Sequence, residues 1–329
     1  MRVLILSESL IIIIVLLLSL ALMTLAERKV MGYIQRRVGP NKVGYWGILQ
    51  PISDGLKLVL KENVVPSHSN SNIYKIAPII TLLLSLIGWI VIPLNGTTMI
   101  SDHPLGMMFI LAVSSLSVYG IIFTGWGGNS KYALLGSIRS TAQMISYEVV
   151  LSLIVLTVII KLGDTPNFIS IVRSQEAIWY MIPLLPVGGI FLICSLAETA
   201  RPPFDLPEAE SELVAGYVVE NSSLSFAFFF LAEYLNIILM SVIIVILFMG
   251  GWGIIEKGNS VLGEIGTMVV SSVLYGLKIS IILYIFVWVR ATYPRYRYDQ
   301  LMAIAWKSQL PISIGIIISI PSLIVALVL

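Results

Sequence analysis

Cysteine is almost absent: Cys194 is the only one in 329 residues. That excludes a disulfide framework within the chain and any four-cysteine zinc or iron–sulfur site. Histidine is nearly as scarce, and His68 and His103 fall far apart in predicted loops, which leaves no pair for a haem or a zinc ion. Charged residues make up 12% of the chain, against about 25% in an ordinary soluble domain. A net charge of +2 offers no basic face for nucleic acid. No dinucleotide or phosphate loop occurs, and Trp126-Gly127-Gly128 and Gly250-Gly251-Trp252-Gly253 read as helix-end glycines. No internal repeat is visible. The chain by itself is therefore expected to bind no metal or cofactor, and any redox chemistry must come from other chains.

What is present is hydrophobic length. Apolar residues make up 57% of the chain and the mean hydropathy is +0.96. Eight runs, at about 3–26, 73–94, 104–126, 138–160, 178–198, 224–249, 268–290 and 308–328, reach the length a bilayer-spanning helix needs. Sustained runs favour helices over a barrel, whose strands are short and alternating. The prediction is an all-α polytopic membrane protein, residues 1–329 forming one membrane domain. The first run exceeds the apolar core of a secretion signal and reads as a retained span. Fourteen of the 20 lysines and arginines lie in the loops after the first, third, fifth and seventh runs. Those loops should face the cytoplasm or, in an organelle, the matrix.

Two inner loops carry most of the polar information. In the first, Gly39-Pro40-Asn41 marks a turn. Ile48, Ile52, Leu56, Val59 and Leu60 then recur at helical spacing, with Asp54, Lys57 and Lys61 largely on another face. That pattern predicts an amphipathic helix, lying in the membrane interface or packed on neighbouring protein. The other loop, between the fifth and sixth runs, spans Glu198 to Glu220. It holds Glu198, Asp205, Glu208, Glu210, Glu212 and Glu220, a third of the 18 acids, and a single base, Arg201. Pro202, Pro203 and Pro207 deny it a continuous helix.

Glu148, Glu233 and Lys278 fall within predicted spans. A charge at the centre of a membrane helix costs roughly 2.5–3.5 kcal/mol on insertion scales, so such residues pair or line water. They mark an ion or proton path, or a Glu–Lys pair locking helices together. Carboxylates in partly dry surroundings couple to one another, which suits holding and passing protons. Arg36, Arg37, Arg290, Arg295 and Arg297 beside Tyr33, Tyr293, Tyr296 and Tyr298 form a basic, aromatic rim. It suits the polar head of an amphiphile or an acidic partner, though inner-side positive bias and interfacial aromatics alone would also produce it.

Several segments carry a resemblance. They are Glu27-Arg28-Lys29, Gln35-Arg36-Arg37-Val38-Gly39-Pro40-Asn41 and Leu49-Gln50-Pro51-Ile52-Ser53-Asp54-Gly55-Leu56-Lys57; then Asn129 to Gly136 and Ile145-Ser146-Tyr147-Glu148; then Ala197-Glu198-Thr199, Pro203-Phe204-Asp205-Leu206, Glu210-Ser211-Glu212-Leu213, Ala232-Glu233-Tyr234 and Arg295 to Leu301. In this order they resemble the subunit 1 family of NADH:ubiquinone oxidoreductase, respiratory complex I. The resemblance implies a core membrane subunit of a proton-pumping translocase, inactive alone, in the mitochondrial inner membrane or a bacterial plasma membrane. Ubiquinone would be the substrate, with NADH, FMN and iron–sulfur clusters held by partners. Those partners would be hydrophilic quinone-site and iron–sulfur subunits and antiporter-like membrane subunits. Carried over by position, Glu148, Glu198, Asp205, Glu208, Glu210, Glu212, Glu220, Glu233 and, from its place in a span, Lys278 form the proton path. Arg28, Arg36, Arg37, Phe204, Arg290 and Arg295 go to the quinone cavity or its entrance. Ala200, where the family usually has Asn, Pro202 and Asn221 depart from the pattern. The alternatives are the related membrane component of a proton-pumping hydrogenase and a stand-alone secondary transporter, which should show inverted repeats.

Overall fold

The computed structural model describes residues 2–94, 99–163, 165–205, 215–253 and 263–328. Among them there is no strand. The helices are α1 (Arg2–Ile34), α2 (Gln50–Leu60), α3 (Ser71–Ile87), α4 (Gly106–Gly127), α5 (Lys131–Leu162), α6 (Phe168–Ser174), α7 (Leu185–Glu198), α8 (Ser223–Phe248), α9 (Gly263–Thr292), α10 (Tyr298–Ala303) and α11 (Leu310–Val328). A π-helical stretch, Ile304–Gln309, joins α10 to α11 without a break. Seven of the described helices are long and apolar enough to cross a membrane, and α7 is a shorter apolar one.

The bundle is arranged around α8. Its Ile237 to Phe248 are all buried, the pattern of a helix apolar on every side. Against it pack α1, α2, α3, α6, α7 and α9. Outer helices instead expose apolar stripes. On α9, Val269, Val273, Leu277, Ile281, Tyr284 and Trp288 face outward at helical spacing. In water such a surface would be a liability; against lipid it is the required solvent match.

Helix ends differ from the hydropathy reading in ways that matter for the site. Helix α1 continues through the charges to Ile34, so Glu27 lies in the bundle and not in a loop. Helix α5 starts at Lys131, where the Ser130 hydroxyl accepts from the Ala133 N–H at 3.1 Å and caps it. It ends at Gly163, whose φ of 68° closes the helix in the left-handed region. The last apolar helix begins at Tyr298 rather than near 308. The fifth predicted run becomes a turn followed by the 14-residue α7. Pro183 precedes the helix and Pro186 sits in its first turn, where a missing N–H costs nothing. The amphipathic helix forms as α2, and none of its residues is buried.

Candidate functional site

The end of the bundle where α1 meets α8 and α9 holds a buried charge cluster centred on Glu27, which is 4% exposed. Its Oε2 accepts from the Tyr234 hydroxyl of α8 at 2.6 Å. Its Oε1 lies 3.4 Å from Nη1 of Arg201, just past α7, and also receives Nη1 of Arg290 on α9. The Arg201 guanidinium sits 4.4 Å from the Tyr234 ring centroid. Three elements thus converge on the one carboxylate of α1. Buried charge is tolerated when it is paired and hydrogen-bonded; Glu27 meets both conditions, while Nε and Nη2 of Arg201 are buried without a hydrogen-bond partner among the described residues. For Arg201 burial opposes the charge, but Glu27, followed by Tyr234 and Glu233, outweighs it and holds the guanidinium above its usual range.

Next along the chain, Phe204 and Asp205 are clamped to the α9–α10 connection. Asp205, 2% exposed, pairs with Arg295 at 3.2 Å. The Tyr296 N–H donates to the Pro203 carbonyl at 3.0 Å. The Phe204 ring stacks on Tyr296, centroids 5.7 Å apart, and leans on Tyr147 of α5 at 5.8 Å. The Pro202–Pro203 bond is cis.

On the other side of the Glu198–Asp205 segment run two small cavities. Glu198 lines both. One reaches Glu233 and Tyr217 past Ser117, Ser140 and Thr199. The other reaches Ser114 past Ser85 and Asn236. Their volumes, ≈ 40 and ≈ 30 Å³, leave room for roughly a water molecule or two apiece. Beyond Ser114 lies Glu148: its Oε1 is 3.5 Å from the Ser114 hydroxyl and accepts a shorter bond from Ser115. Ser114 and Glu198 line the same cavity, so the Ser114 hydroxyl stands between two carboxylates. At the far end the Tyr217 hydroxyl donates to Glu233 Oε1 at 2.8 Å. The arrangement is a line of carboxylates, hydroxyls and water-sized space from Glu233 through Glu198 to Glu148.

The structure therefore brings Glu148, Glu198 and Glu233 together, and Phe204, Asp205, Arg290 and Arg295 into the adjoining cluster. Glu220 is half-buried, its carbonyl accepting from the Tyr74 hydroxyl at 2.6 Å. Glu208, Glu210 and Glu212 lie outside the described residues. Arg28 pairs with Asp54 at 2.6 Å on the exposed surface. Arg36 and Arg37 are exposed beyond α1, Arg37 donating to Gln35 at 2.8 Å. Lys278 is elsewhere: its ammonium donates to the Met249 and Gly251 carbonyls at 2.9 and 2.7 Å, beside the Trp179 ring.

Sequence patterning does not single out Glu27, Tyr234, Tyr217, Ser114 or Gln143 as site residues. Glu27 follows directly on an apolar run and reads as the start of a loop. Tyr234 adjoins Glu233, which is the available signal for it. Serines and a glutamine inside apolar helices are weaker signals than charges, and only their neighbours give them meaning.

Known proteins give this geometry a family. A model of the NADH dehydrogenase family matches residues 7–321. NADH-ubiquinone oxidoreductase chain 1 of Mycosarcoma maydis is 51% identical over 319 residues, 97% of this chain and 96% of that one. The chain 1 protein of Arabidopsis thaliana is 49% identical over 320 residues, 97% of this chain and 96% of its own. A bacterial relative, one of the subunits of the NADH-quinone oxidoreductase of Rhodospirillum rubrum, is 51% identical over 297 residues, 89% of this chain and 86% of its own. With near-complete coverage on both sides and a matching helical membrane architecture, the chain belongs to the NADH dehydrogenase family that includes chain 1 of mitochondrial NADH-ubiquinone oxidoreductase and its counterpart in the bacterial NADH-quinone oxidoreductase.

Proposed function

We propose that this chain is the core membrane subunit in which complex I receives ubiquinone and converts its reduction into proton translocation. The head group would be reduced at the inner end of the bundle, beside the Glu27–Arg201–Arg290 cluster, by electrons from an iron–sulfur cluster in a hydrophilic partner. NADH and FMN chemistry would also sit in partners. The exposed arginines Arg28, Arg36 and Arg37 and the amphipathic α2 would border the route from the bilayer.

The observation that carries this reading is the position of one short segment. Glu198 faces the carboxylate line, while Arg201, three residues on, faces the Glu27 cluster. A change of charge on the quinone side would move Arg201 or its partners, and the same backbone carries Glu198. The acidic residues that follow, Glu208, Glu210 and Glu212, would extend the response toward Glu220. Antiporter-like membrane partners would receive it.

Glu148→Gln tests the path. In membranes containing the assembled complex, ubiquinone reduction coupled to proton uptake should fall at least about tenfold while the complex still assembles. Unchanged coupled turnover in both Glu148→Gln and Glu212→Gln would sink the assignment. The names of the relatives support the quinone enzyme over a hydrogenase component or a lone transporter.

A further inference from the structure

Gln143 has no part in the reading above, yet it is among the most deeply buried polar side chains of the chain, at 1% exposure. It projects from α5 into the segment that joins the two halves of the site. Its Nε2 donates two hydrogen bonds, to the Ala197 carbonyl at 2.8 Å and to the Phe204 carbonyl at 2.8 Å. A primary amide has two N–H donors, and both are used. The orientation of the amide follows from this, because a flipped side chain would set its oxygen against two carbonyl oxygens.

The two acceptors bracket Glu198 to Pro203. Ala197 lies in the last turn of α7, where carbonyls lose their partners within the helix. Phe204 opens the acidic stretch. Between them the backbone is poor in donors, because Pro202 and Pro203 have no N–H. The bonds it makes on its own are turns: Ala200 N–H to the Ala197 carbonyl at 3.3 Å, Arg201 N–H to Leu196 at 3.2 Å and Phe204 N–H to Arg201 at 2.8 Å. None of these ties the segment to another helix. Gln143 does so at both ends, with one side chain, from α5; the Tyr296 N–H in the α9–α10 connection adds one bond to the Pro203 carbonyl.

We infer that Gln143 is the positioning residue of the coupling segment. It holds Ala197 and Phe204 at a fixed separation, so that Glu198 stays on the carboxylate line while Arg201 stays on Glu27. This rests on the proposed role of those two groups. It adds that their registration depends on an uncharged amide outside both clusters. A displacement of about 1 Å in such a constellation can cost on the order of a hundredfold in rate.

The test compares Gln143→Leu, which fills similar space with no donor, and Gln143→Glu, whose neutral acid donates one bond. Both are made in the complete complex in its native membrane. The amount of assembled complex is fixed by NADH oxidation with a hydrophilic artificial acceptor. Per assembled complex, Gln143→Leu should lower ubiquinone reductase kcat at least about tenfold and reduce the protons moved per quinone. Gln143→Glu should fall between Leu and the native chain. A packing role would alter the amount and heat stability of the complex but not protons per quinone. A native ratio and kcat in Gln143→Leu would overturn the inference. If that variant does not assemble, native values in Gln143→Glu overturn it instead. Glu148→Gln runs alongside. Loss of coupling there with native behaviour at Gln143 rejects only the positioning role, whereas native coupled turnover in both Glu148→Gln and Glu212→Gln rejects the function reading beneath it.

Discussion

Gly136 of α5 lies against Gly216 so closely that a Cβ at position 136 would stand 2.7 Å from the Gly216 Cα. This contact fixes the far end of the acidic stretch, as Asp205–Arg295 fixes the near end. Gly216 leads a short 3-10 turn to Val218, and Tyr217 in that turn holds Glu233. Gly136→Ala must push backbone, since no flexible side chain is there to yield. Overpacking of this kind costs about 1–3 kcal/mol. The expected result is faster thermal inactivation and reduced proton translocation, with the artificial-acceptor rate per complex unchanged. Native heat stability would show that the turn is free to shift.

Ala200 occupies the left-handed region with φ of 49°, two residues past the end of α7. An ordinary L-residue pays roughly 1–2 kcal/mol there, while Asn and Gly adopt it readily. Ala200→Gly and Ala200→Asn should therefore both slow thermal inactivation, by an amount equivalent to about 1 kcal/mol. A loss of stability in both would mean the methyl group makes contacts that outweigh the strain.

Glu27→Gln removes a negative charge from between two guanidinium groups. The amide still accepts from Tyr234, so the hydrogen bond is largely kept and the electrostatic loss is isolated. Leaving the buried Arg201 without its counter-charge, beside the half-buried Arg290, costs about 3–5 kcal/mol. Tyr234→Phe removes one bond to a charged acceptor, about 1.5–3 kcal/mol. The order Glu27→Gln worse than Tyr234→Phe, in both heat stability and quinone reduction, is the expected outcome. The reverse order would place the weight on the Tyr234 hydroxyl.

Helix α2 packs on α1 and α8 and leaves Ile52, Leu56, Val59 and Leu60 exposed. If they lie in lipid, a spin label at position 56 in the assembled complex should be accessible to oxygen and shielded from a polar nickel reagent. A label at Lys57 should show the opposite. Equal shielding of both sites from both reagents would assign the face to a neighbouring subunit.

The spans were legible because a bilayer demands length and apolarity, and both can be read locally. The charge of the acidic stretch was legible for the same reason. The pairing was not. Glu27 follows Ala26 at the end of an apolar run, and only the continuation of α1 to Ile34 and the approach of Arg290 make it a buried centre. Gln143 is one polar residue on a long helix, and its acceptors lie 54 and 61 positions away. Proline placement explains the shortened α7, where composition alone suggested a full span.

Lys278 is the residue where sequence position and surroundings point in different directions. A lysine inside an apolar helix suggests a proton carrier or a partner for a membrane carboxylate. Its described contacts are the carbonyls of Met249 and Gly251, just past the end of α8, and the face of Trp179. A cation at a helix C-terminus meets the negative end of the helix dipole and fills carbonyls that have lost their own donors. Such a contact needs a positive donor but no proton transfer. Lys278→Arg, which keeps charge and donors but does not release its proton, separates the two roles. With capping alone, Lys278→Arg should keep native protons per quinone, and Lys278→Met should lose heat stability without changing that ratio. A ratio that falls in Lys278→Arg, measured per assembled complex, would return the residue to the proton path.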